Sequence, residues 1–185
     1  MDAFLEEVVT KQNRGLQTVS YIMANVVMVI FGALALLDFA TIGAVVQQAG
    51  FGMDFFITLI RLLIFGAAAF GMFIYRDRVK TEYEYTFTNG QMDFAQVFNN
   101  KKRKNLGTMN IKNVEACGLV SSGSFNRYIN MQGIKRTNWF LNREAELLYF
   151  FFQKDGQKRI IIIEPSEEMT GLIKKTLAQG VWQNN

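Results

Sequence analysis

Two apolar runs, separated by a short connector and followed by a charged remainder, constrain this chain more than any other feature. From Thr18 to Tyr75 the only ionisable side chains other than tyrosine are Asp38, Asp54 and Arg61. Residues 76 to 185 hold 17 of the 20 Lys+Arg and 11 of the 16 Asp+Glu. The first run, Val19 to Leu37, is about 28 Å long as a helix and the second, Phe55 to Tyr75, about 31 Å, each close to the hydrocarbon thickness of a bilayer. The expected organisation is a cytoplasmic N-terminal segment (1–18), a transmembrane hairpin (19–75, spans 19–37 and 55–75, outer loop 38–54), a basic juxtamembrane linker (76–81) and a soluble domain (82–185).

Charge sets the expected direction. Lys11 and Arg14 precede the first span and Arg76, Arg78 and Lys80 follow the second, whereas Asp38 to Asp54 contains no Lys or Arg. The positive-inside rule therefore predicts a two-pass protein of the cell membrane with both termini cytoplasmic. A cleaved signal peptide, suggested by the small-x-small pattern Ala33-Leu34-Ala35, fits less well. The preceding segment is long and acidic, and the apolar run exceeds a typical signal core. Phe4, Leu5, Val8 and Val9 lie near helical spacing, which predicts a short interfacial helix, with a loose tail as the alternative.

Within the spans, Arg61 would be costly in lipid. It is expected to snorkel outward, or to pair with Asp38 or Asp54, because helical side chains lean toward their own N-terminus. Gly66, Ala67 and Gly71 form a small-residue face that permits close helix approach. Packing against Gly32, Ala33 or Ala24 of the first span is the simpler expectation, and association with another membrane subunit the other.

After Arg76 the hydropathy period changes to two. Tyr83, Tyr85 and Phe87 alternate with polar residues, Asn89-Gly90 supplies a tight turn, and Met92, Phe94 and Phe98 continue the apolar face. A third strand reaches Ile111 and a fourth covers Val114 to Val120, for an expected four-stranded antiparallel meander. Ser121 to Arg136 has no clear period and reads as a long loop or an irregular insertion, after which strands are expected to resume near Trp139-Phe140-Leu141. Leu147 to Gln153 and Arg159 to Ile163 pair across Lys154-Asp155-Gly156-Gln157. Ser166, Glu167 and Glu168 open a helix whose apolar face is Met169, Leu172, Ile173, Thr176 and Leu177.

The expected fold is thus a membrane α-helical hairpin joined to a mostly-β domain of about seven antiparallel strands with a C-terminal amphipathic helix. That order of elements resembles pleckstrin-homology (PH) domains. Thr88-Asn89-Gly90-Gln91-Met92, the basic Lys101-Lys102-Arg103-Lys104 and Ile111-Lys112-Asn113-Val114 resemble the opening of bacterial membrane-anchored PH-like domains. With Glu82-Tyr83-Glu84-Tyr85 and Glu164-Pro165, the chain is similar over nearly its full length to a family of small two-span membrane proteins from Gram-positive anaerobes. The resemblance implies a PH-like barrel and brings no assigned activity.

Several chemistries are disfavoured by composition. There is no histidine, and the single cysteine, Cys117, cannot form an intrachain disulfide or a thiolate zinc site. No phosphate-binding glycine motif occurs. Cys117 is expected to be a small core residue, and the pairs Glu82/Glu84 and Glu144/Glu146 to be solvated strand faces. No catalytic or metal-ligating residue and no cofactor is therefore expected, and nucleic acid is disfavoured as a partner. The basic quartet Lys101, Lys102, Arg103 and Lys104 is the best candidate site. It reads equally as a contact for anionic headgroups or an acidic partner, or as a cationic guard on a sheet edge. The expected function is a non-enzymatic membrane-anchored module that recruits or scaffolds a protein partner or another copy of itself at the inner face. The alternative is an accessory subunit of a larger transport or envelope complex.

Overall fold

The computed structural model describes residues 3–184. The chain forms two compact units: a helical one, residues 13–80, and a discontinuous β-rich one comprising the N-terminal twelve residues together with 81–185.

The N-terminal segment is a strand, β1 (Phe4–Val9), rather than an interfacial helix or a loose tail. It pairs antiparallel with a strand that begins only after both long helices, with Val9 opposite Tyr83 and Phe4 opposite Thr88. Leu5 and Val9 share the core-facing side with Phe87 and Tyr83, and this pairing overrides the weak helical spacing.

The helical unit is a pair, α1 (Arg14–Ala49) and α2 (Met53–Val79), both long and apolar enough to cross a membrane. They are not core helices of a soluble body, since only 6% of each apolar window is buried inside the protein. Asn13 caps α1 by accepting from the Leu16 amide at 3.2 Å. Both helices run past the apolar runs and leave Gly50-Phe51-Gly52 between them; Asp38 finds a partner on α2, and no proline interrupts α1. Gly50, at φ 62°, ends α1 with its amide on the Val46 carbonyl.

In the β-rich unit β1 joins β2 (Thr81–Thr88), β3 (Gln91–Phe98) and β4 (Lys102–Asn110) in one antiparallel sheet of order β1-β2-β3-β4. Asn89 and Gly90, both at positive φ, make the expected tight turn. The expected meander therefore exists, but its fourth member is β1. The strand after β4, β5 (Ala116–Leu119), passes to a second sheet after one 3-10 turn at Ile111–Asn113.

The second sheet continues with β6 (Lys135–Trp139), β7 (Leu148–Lys154), β8 (Gln157–Ile163) and β9 (Trp182–Gln183), in the order β6-β8-β7-β5-β9. Its β5–β9 and β6–β8 pairings are parallel, so the β-rich unit has nine strands among the described residues and is not wholly antiparallel. Gly118 is required for the β9 contact: a Cβ there would lie 2.9 Å from the Gln183 carbonyl oxygen.

Two apolar clusters follow from strand alternation. Between the sheets lie Tyr85, Phe87, Met92, Phe94, Phe150, Ile161 and Ile163. Helix α4 (Glu167–Thr176), capped by Ser166, adds Met169 and Ile173 to this cluster. The outer side of the second sheet carries Tyr149, Phe151, Ile160 and Ile162. The stretch 121–136 covers it: α3 (Gly123–Ile129) lies where a loop was expected, with the Tyr128 ring 4.8 Å from Phe151 and the Phe125 ring 5.3 Å from Tyr149.

Candidate functional site

The basic quartet surrounds the β3–β4 turn. Asn99 and Asn100 take the left-handed conformation there, and the Lys101 amide returns to the Phe98 carbonyl at 3.0 Å. The register places Lys102 opposite Phe98, Arg103 opposite Val97 and Lys104 opposite Gln96. Side chains alternate, so Lys102 and Lys104 share one face and Arg103 occupies the other. The four are exposed but not equivalent: Arg103 Nε holds Glu84 Oε2 of β2 at 2.7 Å. Glu84, expected to be merely solvated, thus neutralises one member of the quartet. Lys102 and Lys104 lie exposed on one face of the hairpin, an arrangement suited to nonspecific attraction of a negative surface at about 1 kcal/mol per lysine.

The intramembrane candidates divide. Arg61 makes a two-point ion pair with Asp38, one contact being Nε to Oδ2 at 3.3 Å. Asp38 is buried while the Arg61 side chain is 54% exposed, so the acid is sequestered and the cation is not. Asp54 does not join them; it lies in the first turn of α2, where its backbone carbonyl accepts from Thr58. The small-residue face does not behave as the simpler expectation had it. Ala67 and Gly71 are exposed, and a Cβ at Gly66, Gly71 or Gly32 would meet nothing within 4 Å. Bulkier side chains make contact between the helices, as where Phe31 faces Phe65 with centroids 5.9 Å apart.

Near the ends of the pair, Arg76 donates to Asn25 Oδ1 at 2.8 Å and Lys80 lies over the Tyr21 ring at 4.3 Å. Cationic residues that marked orientation in the sequence therefore also fasten one helix to the other.

A polar latch in the β-rich unit escaped the sequence reading. The Leu141 and Asn142 amides donate to Glu164 Oε2 at 3.1 and 2.9 Å. Asn142 Nδ2 donates to Glu164 Oε1 and to the Thr10 carbonyl, while its Oδ1 accepts from the Gln12 amide. Glu7 accepts from the Ser166 amide at 3.1 Å, and burial pushes its carboxyl above the usual range. Tyr85 donates to the Trp139 carbonyl, and burial drives its hydroxyl upward. Glu164-Pro165 was the only visible signal, and nothing in the sequence joined it to residues 7–12 or to Asn142. The latch consumes its polar groups internally, which suits it to fastening the N-terminal strand.

Cys117 is wholly buried and burial pushes its thiol upward, so it is a core residue with suppressed thiolate character. Glu144 and Glu146 lie in the β6–β7 connection rather than on a strand. No group of three or more carboxylate, thiol or imidazole side chains is placed to hold a metal among the described residues.

Two sheets packed face to face around an aromatic core, with a helix filling from the C-terminal side and two long apolar helices inserted after the first strand, fit the PH-like class. The family model described as "Bacterial PH-like domain (DUF6106)" matches residues 1–183, and the chain belongs to that family. No curated protein and no solved structure matches the chain.

Proposed function

We propose that this protein is a two-pass, membrane-anchored and non-catalytic PH-like module of the cell membrane, with both termini cytoplasmic, that recruits or scaffolds a partner at the inner face. The observation that carries the reading is the pairing of β1 with β2 across the helical insertion. Strands on either side of the two long helices belong to one sheet, which supports a chain that leaves and re-enters on the same side. The absence of Lys and Arg between Asp38 and Asp54, against Arg14, Arg76, Arg78 and Lys80 at the other helix ends, supports the cytoplasm as that side. Lys102 and Lys104, exposed on the basic hairpin, supply the contact with anionic headgroups or an acidic partner. The family is described as PH-like, which supports a non-enzymatic module. Cysteines introduced at Phe51 and at Asp155, in a Cys117→Ser background, test the orientation. An impermeant maleimide applied to intact cells labels the Phe51 position and spares Asp155; the reverse pattern would overturn the proposal.

A second reading, an accessory subunit of a larger membrane complex, is favoured by one observation: Ala67 and Gly71 lie exposed on α2, and a Cβ at Gly71 would meet nothing within 4 Å. A photo-crosslinking residue at Gly71, used in native cells, is expected to trap a membrane protein that the same residue at Phe70 traps poorly. Equal yields at both positions would remove this reading.

A further inference from the structure

The inner face of the second sheet changes character at one end. Along β8, Ile163 and Ile161 face the core between the sheets, and Arg159, two residues further out, continues the same face. Its opposite number on β7 is Phe152, itself packed against that core, and Lys154 extends that face. An apolar interior therefore runs directly into cations. Between this end and the exposed edge of β4 lies a cavity of about 300 Å³. Phe94, Trp139, Phe152 and Ile161 contribute its apolar walls, with the Trp139 and Phe94 rings 4.8 Å apart, and Lys154 and Arg159 contribute its charge. No carboxylate lines it among the described residues.

Arg159 is the unexplained group. Its Nε is buried without a hydrogen-bond partner among the described residues. Elsewhere in this unit the arginine of the basic hairpin is answered, Arg103 by Glu84. A guanidinium held only by solvent would keep Nε in water, and one serving the fold would meet an acid or a carbonyl. Here a forked donor, a second cation and an aromatic wall converge on unfilled space, which is complementary to a molecule with one anionic end and one apolar end.

We propose that this cavity binds a small amphiphilic anion, a carboxylate or phosphate monoester on a short apolar body. The head lies against Arg159 and Lys154, and the body on Trp139 and Phe94. The cavity is at the lower end of the size range of ligand pockets, which limits the apolar part to a short chain or a single ring. The basic hairpin is separate: it offers charge on an exposed turn without apolar walls.

The test uses the full chain in phosphatidylcholine nanodiscs, with Trp182→Phe so that Trp139 is the sole tryptophan reporter. Hexyl phosphate and hexanoate are expected to shift Trp139 emission saturably, with 1-hexanol at least about tenfold weaker, the loss expected for one charge-assisted hydrogen bond. Arg159→Gln should weaken hexyl phosphate about tenfold, and Arg159→Lys less, since it keeps charge without the fork. Lys154→Gln, at an exposed position that leaves folding intact, should weaken it too. Repeating the titration with phosphatidylglycerol in the discs distinguishes the source. Competition with hexyl phosphate assigns the site to a bilayer lipid, and unchanged affinity assigns it to a free cytosolic anion. The proposal is overturned if emission does not saturate, if hexanol binds as well as hexyl phosphate, or if Arg159→Gln and Lys154→Gln both titrate like the parent.

Discussion

Glu7 shows how one side chain can hide an element. Its neighbours on the inner face of β1, Leu5 and Val9, are apolar, and a hydrophobic residue at position 7 would have completed a period-two signal. A carboxylate stands there because it accepts from the Ser166 amide at the start of α4. Burial raises its pKa above the ordinary carboxylate value despite that hydrogen bond. The folded state therefore holds the Glu7 proton to higher pH than the unfolded chain does. Stability contributed by this group is fully present below the unfolded-state pKa and is lost as pH rises through the raised, folded-state value. Thermal melts of the full chain in detergent across that window should show a falling midpoint, and Glu7→Gln, which keeps one acceptor for Ser166 without the charge, should flatten the fall. A parent and variant with parallel pH profiles would contradict the assignment.

Elements were legible where one physical signal dominated. The long apolar runs announced α1 and α2, although their true ends lay beyond the runs because Asp38 is matched by Arg61 inside the pair. The Asn89-Gly90 and Asp155-Gly156 turns announced two hairpins because their backbone dihedrals demand those residues. Two elements were only partly legible, for opposite reasons. Helix α3 is short, and the Ser122 side chain at its N-cap bonds to Leu119 and Ser124 rather than to a first-turn amide, so it is held by packing of Phe125 and Tyr128 on the second sheet rather than by local propensity. Strand β6 joins β8 in parallel, a long-range pairing that no turn between them advertises. Of the candidate site, the basic hairpin was readable as charge, but its internal division was not, since Glu84 is distant in sequence from Arg103. That division is testable. In nanodiscs containing phosphatidylglycerol, amide exchange over residues 99–104 should slow relative to phosphatidylcholine discs, and high salt should erase the difference. Lys102→Gln with Lys104→Gln should remove most of the slowing and Arg103→Gln less of it. Identical exchange in both lipids would dismiss contact with the headgroups.

At the scale of the whole molecule the sequence suggested a soluble domain starting at Glu82, and the structure shows a discontinuous unit whose first strand precedes the helices. The latch of Asn142 and Glu164 on Thr10 and Gln12 ties that first segment down. A truncation beginning at Thr81 leaves β2 as an open edge and strips the core-facing Leu5 and Val9, together with several hydrogen bonds worth about 1 kcal/mol each. It is expected to aggregate or melt at a markedly lower temperature. Joining Gln12 directly to Thr81 through a short flexible linker should instead give a soluble, cooperatively melting protein, because antiparallel partners can be bridged by a short loop. If the truncated form proved as stable and soluble as the joined one, β1 would be dispensable.

Insertion after the first strand also imposes an order on biosynthesis. The ribosome releases β1 first, and its sheet partner follows only once both long helices have been made, a delay of seconds at ordinary elongation rates. During that interval a short strand bearing Phe4, Leu5, Val8 and Val9 waits with no mate. Completion of the sheet thus reports that both intervening helices have been made, so that maturation of the β-rich unit is coupled to synthesis of the whole insertion.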